Sequence, residues 1–350
     1  MLVRQVEEGI LQQLKSGQYA PGEKLPSLRE LSREFGCSYV IAFRAVQSLK
    51  NSGYLETAKG NGIFVTGDAR SKMEKKLIAY ISARQDSSQL SPHDLIRYTC
   101  FQRIVRDAGF IDLSLYENEQ LPSDQLDRLA GALITLDTPM MPELTARKIP
   151  CVFISSLGNP YGMPTATPDY YQGSFDVMQS LIKCGYRKIR AITLDSTVGN
   201  QASCAPRIAA YFDALNAAGL SGSTPLEWNI RKPELRKRFR EAMSVPDHPD
   251  ALFSPNDKMA IEIIQELSSM GFRVPDDIGV AGLENQEFFY GSNPPLTTAS
   301  YDNEMLAREA CTLLLRMIEQ PSQNYSSITL PMTLIMRASS MPVKRKGIPA

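Results

Sequence analysis

Only two histidines and one tryptophan occur in the 350 residues. Two histidines are too few for the imidazole sets of most catalytic metal sites, so no metal centre is expected. The six cysteines are scattered, with no CxxC pair and no zinc spacing. That points to a reduced, cytoplasmic protein whose cysteines act as small buried residues. No apolar run reaches 18 residues, so no transmembrane helix is expected. The opening "MLVRQVEEGILQQL" turns acidic by its second turn and has no apolar signal core. A net charge is missing as well: 38 Lys+Arg balance 38 Asp+Glu. Total charge therefore points to neither nucleic acid nor membrane.

The charge is informative once it is split. Up to Lys76 there are 12 Lys+Arg against 8 Asp+Glu, which leaves 26 against 30 for the remainder. A mildly basic head on an acidic body suits a DNA-binding module attached to something else. A chain of 350 residues, 43% hydrophobic and 22% charged, is long enough for two or three units with their own cores.

The head reads as three helices and a hairpin over residues 1–66. Val3, Val6, Ile10, Leu11 and Leu14 share one helical face, and Gly17 stops the helix. Ser27 and Glu30 have capping-box spacing at the start of a second helix, which Gly36 ends. Ser38 caps a third helix running to Asn51, with Ala42, Ala45, Val46 and Leu49 as its buried stripe. "YLETAKGNGIFV" then reads as strand, tight turn, strand. Residues 67–75 form a polar linker. From residue 76 to 340, apolar runs ("LIAYIS", "LSLYE", "ALITL", "CVFIS", "IRAITL", "ALFSP", "IGVAGLE") alternate with amphipathic helical segments. That pattern predicts βαβ units, parallel sheets and two doubly wound lobes, with a first crossover near 183–187 and a tail over 341–350.

Residues 6–65 resemble the winged helix-turn-helix of the GntR family. The matching pieces are "SGQYAPGEKLPSLREL", "FGCS", "SGYLE" and "GNGIFV". The resemblance implies a third helix in the major groove and a wing tip at the minor groove. Its DNA-contacting positions are Arg29, Ser38, Tyr39, Val40, Phe43, Arg44, Lys59, Gly60, Asn61 and Gly62. Arg29 keeps the family's helix-two arginine. Tyr39 and Phe43 stand where the family usually has Arg, Val40 and Ile41 replace its Thr pair, and Arg44 replaces a common acidic residue. Apolar side chains in the major groove touch thymine methyls, so an A·T-rich half-site is expected. The competing reading is a protein-interaction surface built on the same exposed aromatics.

Residues 76–340 resemble the effector domain of LacI/GalR repressors. The pieces are "DYYQGSFDVMQSLIKCGYRKIRAI", "RIAAYFDALNAAGL", "PDALFSPNDKMAIEIIQELSSMGFRVPDDIGVAGLEN", "PPLTTASYDNEMLAREACTLLLRMIE" and "LIMRASS". The fold implied is α/β: a winged helix-turn-helix plus a two-lobed, periplasmic-binding-protein-like (type I) sensor. A GntR head on such a body resembles the arabinose-repressor subgroup. The resemblance places ligand groups on loops after strands: Ser82, Ser155, Asp169, Arg207, Asn256, Asp257, Glu284 and Asn285, with Trp228 as a wall for a sugar ring. Arg, Asn and carboxylates can grip adjacent hydroxyls bidentately. Each has a bland alternative: Asn256 as a helix cap, Arg207 as half of an ion pair, Trp228 as core. Glu284 and Asn285 stand where the family commonly has two Asp.

The expected function is a ligand-responsive DNA-binding regulator, by the family's default a repressor that a sugar-like effector releases from operator DNA. No cofactor is implied. A homodimer is expected, because one winged helix touches too few phosphates for strong specific binding. The alternative is a two-lobed enzyme with a DNA-binding head; against it, the chain has no GxSxG, no GxxxxGK[ST] and no GxGxxG after a strand.

Overall fold

In the computed structural model the described residues are 2–58, 62–67, 69, 77–82, 92–116, 119–136, 138–154, 161–196, 201–286 and 291–341. The head begins with α1 (Leu2–Lys15), α2 (Leu28–Glu34) and α3 (Tyr39–Asn51), followed by the hairpin β1 (Leu55–Ala58) and β2 (Gly62–Val65). Local chemistry sets the boundaries. Ser27 and Glu30 close a reciprocal capping box on α2, Ser38 Oγ accepts from the Ile41 amide, and Gly36 turns the chain with φ 58°. Val6, Ile10 and Leu14 of α1 pack with Leu31, Ala42, Ala45, Val46 and Leu49 into one core. Each fully buried Leu or Ile there contributes roughly 1.5–3 kcal/mol. Antiparallel pairing of β1 and β2 brings Ala58 opposite Gly62.

The body's first lobe contains β3 (Leu77–Ser82), α4 (Pro92–Asp107), β4 (Ile111–Tyr116), α5 (Ser123–Asp127), β5 (Leu129–Ile134), α6 (Met141–Ala146), β6 (Cys151–Ile154) and β7 (Thr165–Pro168). Helix α7 (Tyr170–Lys183) leads away from it. The second lobe holds β8 (Ile189–Leu194), α8 (Gln201–Ala217), β9 (Leu226–Trp228), α9 (Pro233–Met243), β10 (Ala251–Phe253), α10 (Asp257–Ser269), β11 (Gly279–Ala281) and β12 (Thr298–Ser300). Helix α11 (Asn303–Glu319), β13 (Ile328–Leu330) and β14 (Thr333–Ile335) complete the body.

Two parallel sheets result, ordered β13-β7-β6-β5-β3-β4 and β11-β10-β8-β9. Helices cover both faces of the first sheet, so β5 and β6 are buried along their whole length, as their unbroken apolar runs require. The chain passes between the lobes at three places among the described residues. After β7 it enters α7, which packs on α8; after β12 it enters α11, which packs on α4, β5 and β6; after β13 it returns to β14, which pairs with β12. The first passage lies between Pro168, the end of β7, and Tyr170, the start of α7; α7 packs on lobe-two elements, so the crossover expected at 183–187 is corrected to 168–170, one helix earlier. These crossings place the ends of β7, β11 and β12 around one cleft, at the carboxyl ends of the strands.

Candidate functional site

The face of the head expected to meet DNA is the one that α3 leaves uncovered. Its stripe of Ala42, Ala45, Val46 and Leu49 is spent on the core. Tyr39 and Phe43 remain 51% and 43% exposed, and Val40 and Arg44 are exposed beside them. Ser38 fixes the helix start through its cap. Arg29 is exposed on α2. A groove of about 960 Å³ runs between α2, Tyr39 and the wing base at Thr57 and Gly62. Gly62 has a local reason to be glycine: its φ is 112°, and a Cβ would lie 2.6 Å from Lys24 Cε. Lys59, Gly60 and Asn61 lie outside the described residues, as does Ser155 of the expected ligand set.

In the cleft, Arg207 of α8 is 4% exposed. Its guanidinium sits 3.6 Å from the centre of the Tyr170 ring, and its Nη2 donates to Glu284 Oε1 at 3.4 Å. The Tyr170 hydroxyl donates to the same oxygen at 3.4 Å, and Gln286 Nε2 to Glu284 Oε2 at 2.8 Å. A buried cation over an aromatic face, closed by a carboxylate, is a strong local arrangement. It also ties lobe two to the start of the crossover helix.

The loop carrying Glu284 is strained. Glu284 and Asn285 have φ 96° and 49°, both in the left-handed region that L residues rarely adopt. Surrounding contacts hold it there: the Glu284 amide donates to Ala299 O at 2.8 Å, and Arg337 Nη2 donates to Asn285 Oδ1 at 2.8 Å. Stored strain of this kind collects at ligand clamps and switches. Beneath it, Asp257 is buried and accepts from Thr298 Oγ1 at 2.7 Å and from the Gln286 amide at 3.0 Å. Burial pushes its carboxyl up to about 7, against the pull of those two bonds. A Cβ on Gly282 would lie 2.5 Å from Asp257 Oδ1, so the two residues are packed as a unit.

Other expected ligand residues have structural duties. Asn256 Oδ1 accepts from the Met259 amide and caps α10; Asp169 Oδ1 accepts from the Gln172 amide and caps α7. Both stand at the cleft end of their helices. Ser82 is half-buried at the end of β3. Trp228 is a correction. It is 2% exposed, packs edge-to-face on Phe239 at 5.0 Å, and donates from Nε1 to Glu262. The indole is lobe-two core and cannot serve as a ligand wall, because its apolar face is already matched and its one polar atom satisfied.

Four cleft residues were missed by sequence reasoning: Tyr170, Tyr301, His93 and Arg97. Tyr170 and Tyr301 meet edge-to-face at 6.3 Å, and His93 of α4 meets Tyr301 at 6.2 Å. Burial raises both phenols above the ordinary range. Arg97 of α4 pairs with Asp94 and is electrostatically coupled to both tyrosines. The one signal that could have found Tyr170 is its place directly after Asp169 in the matched motif. Tyr301 likewise lies in the matched stretch 294–319, whereas Arg97 is brought in by α4, which no local pattern reveals.

Helix α11 reaches from this cleft to the head. It starts two residues after Tyr301, and its 17 residues span about 25 Å. Just past its end, Ser322 Oγ donates to the carbonyl of Asn51, the last residue of α3, at 3.2 Å. Burial raises the Tyr54 phenol, and the charge of Glu319 adds to the shift. Among the described residues, no group of three or more His, Cys, Asp or Glu could hold a metal ion, and no helix is long and apolar enough to cross a membrane.

Comparison with known proteins defines the class. The family of bacterial regulatory proteins called gntR matches residues 2–65, and the periplasmic binding protein-like domain matches residues 178–340. The chain carries a gntR-family helix-turn-helix domain at its start and a periplasmic binding protein-like domain in its body. Within that class it is similar to the arabinose metabolism transcriptional repressor of Geobacillus stearothermophilus, at 26% identity over 97% of each chain. It is also similar to the repressor PurR of Aliivibrio salmonicida, at 31% identity over 42% of this chain and 44% of that one. Among solved structures, the regulator CelR in complex with cellobiose aligns with TM-score 0.63 and 19% identity, covering 90% of this chain and all of that one. A LacI family regulator from Enterococcus faecium with bound ribose aligns with TM-score 0.63 and 17% identity, covering 77% and all of the respective chains. At these identities the structures establish the fold.

Proposed function

We propose that the protein is a transcriptional repressor rather than an enzyme, released from operator DNA when a sugar or sugar-like metabolite closes its cleft. The single observation that carries this reading is the buried Arg207–Tyr170–Glu284 cluster: it stands at the cleft end of a sensor body whose head exposes the start of α3. The relatives named for repression, and the neighbours that hold cellobiose or ribose, support it. Arg207, Asn256 and Glu284 stand on lobe two and Asp169 at the hinge, its amide donating to Leu330 O of lobe one, so a ligand touching all four favours the closed arrangement. Closure moves lobe one, and α11 with the Ser322–Asn51 contact supplies a route from the cleft to the head. Two heads spaced by a homodimer of the body then cease to match two half-sites. Action on DNA places the protein in the cytoplasm.

The test uses the full chain and DNA fragments selected from random sequence. Specific binding should exceed binding to unselected DNA by about a thousandfold or more, with strong salt dependence. Sedimentation at micromolar concentration should give a dimer. Equal affinity for selected and unselected DNA would refute the DNA-binding reading and leave α3 as a protein-docking surface.

A further inference from the structure

We propose that lobe one carries a second ligand site, remote from the cleft, which takes a small apolar carboxylate and holds the head docked on the body. The site is a cavity of about 220 Å³ at the amino ends of β6, β7 and β13, three neighbours in one sheet. The cleft lies at the opposite, carboxyl end of that sheet. The second site therefore does not depend on the effector-cleft reading.

Polarity divides the lining. Ile149 and Cys151 are buried, and Met163, Met317 and Tyr325 are half-buried around them. Cys151 Sγ donates to Ile149 O at 3.3 Å, and burial pushes its thiol up to about 12, so it stays neutral. Ile149, Cys151 and Met163 belong to one packed cluster of lobe one, Met317 and Tyr325 to another, and both line the cavity. Thr145, Lys148 and Gln323 are exposed and form the polar rim. Lys148 is the one charged residue among the described lining.

Size and polarity select the ligand. An apolar cavity of about 150 Å³ already accepts benzene, so 220 Å³ has room for one ring with a short substituent. A sugar would press hydroxyls against Ile149 and the two methionines, where they lack partners. An aromatic or aliphatic acid instead lays its apolar part on those side chains, and methionines adapt their shape to it. Its carboxylate then meets the Lys148 ammonium at the rim.

The same wall holds the head. The Tyr325 ring lines the cavity, while its hydroxyl donates to Arg316 O at 2.7 Å and Gln320 O at 3.0 Å, carbonyls at the end of α11. Pro321 and Gln323 line the cavity as well, and Ser322 between them donates to Asn51 O of α3 at 3.2 Å. The turn after α11 thus has the cavity on one side and the head on the other. The cavity is formed in this docked arrangement, so a ligand that fits it favours docking by its differential affinity.

The test uses the full-length protein without DNA, so it is independent of operator binding. Calorimetric titration with benzoate, phenylacetate and hexanoate should give saturable binding of one equivalent per chain, and benzylamine none. Neutral benzyl alcohol should bind about two- to fivefold more weakly than benzoate, the worth of one exposed ion pair. Lys148 has φ 52°, a conformation that asparagine tolerates. Lys148→Asn should therefore weaken benzoate by the same factor and leave benzyl alcohol unchanged. Saturating benzoate should slow amide hydrogen exchange over residues 49–54 severalfold; in Ser322→Ala it should bind as before without that slowing. Absence of saturable binding by any of the acids, or benzoate binding that Lys148→Asn leaves unchanged, overturns the site. Binding without slowed exchange in the wild type, or slowing that survives in Ser322→Ala, overturns the link to the head. If no acid binds and Gln323→Arg at the rim turns a dimer into a monomer, the site is overturned in favour of a second copy of the chain seated in the cavity.

Discussion

Replacing Arg207 by Met tests whether the cleft cluster holds lobe two to the crossover helix. The guanidinium is buried, 3.4 Å from Glu284 Oε1 and 3.6 Å from the centre of the Tyr170 ring. At an effective dielectric of about 20, attraction across that gap is roughly 5 kcal/mol before desolvation. Removing one partner of a buried pair costs about 3–5 kcal/mol, because the other charge is left behind. Glu284 keeps some access to water, with 18% of its side chain exposed, which puts the expected loss near the lower bound, about 3 kcal/mol. Adding Glu284→Gln removes the stranded charge and should recover about 2 kcal/mol, within the usual range for coupled neighbours. Trp228 is the only tryptophan and lies in the lobe-two core, so its fluorescence in a urea titration isolates that lobe's unfolding from the head's. The midpoint should fall at unchanged slope in the single variant and return most of the way in the double. A single variant within about 1 kcal/mol of wild type, or a double no more stable than the single, would refute the reasoning.

Two further predictions follow from the geometry. Burial raises Asp257 from its ordinary 3.8 to about 7; a raised value means that its stabilising share is complete below pH 3.8 and is lost as pH rises through 7. Asp257→Asn keeps the shape and should flatten the stability profile between pH 4 and 7 and raise the melting temperature at pH 8; an unchanged profile would remove Asp257 as its source. Arg29→Ala should weaken operator binding by about 1–3 kcal/mol if the side chain meets a base edge. If it meets phosphate, the loss should be equal on all sequences and the salt slope should fall by about one; no change on either DNA would take Arg29 out of the interface.

The legible parts of the chain were those set by local chemistry. Ser27 with Glu30, Gly36 and Ser38 fix the helix-turn-helix because caps and left-handed turns depend on near neighbours. The buried strands β3, β5 and β6 announced themselves as unbroken apolar runs. Strands β7, β9 and β12 to β14 did not: they are three or four residues long and owe their state to pairing partners far away in sequence. The Arg207–Glu284 contact joins residues 77 apart, which motif matching placed in one site but could not orient. Trp228 was misread because a lone tryptophan suits a sugar wall and a core equally well until Glu262 is seen beneath its N–H. Arg97 carries no motif, and Tyr301, though inside the matched stretch 294–319, gives no sign of its partner, since the crossings between lobes bring the two together.

Reciprocal coupling tests the central claim most directly. An effector that weakens operator binding must itself be weakened by the operator, by the same factor, because the two equilibria share one cycle. The measurement is a calorimetric titration of the bound sugar into the full-length protein, alone and with saturating operator, beside operator titrations with and without that sugar. The account predicts equal factors of about 5 to 150 in the two directions. Sugar dissociation constants that agree with and without operator would contradict it: the cleft would still bind, but α11 and the head would not be listening.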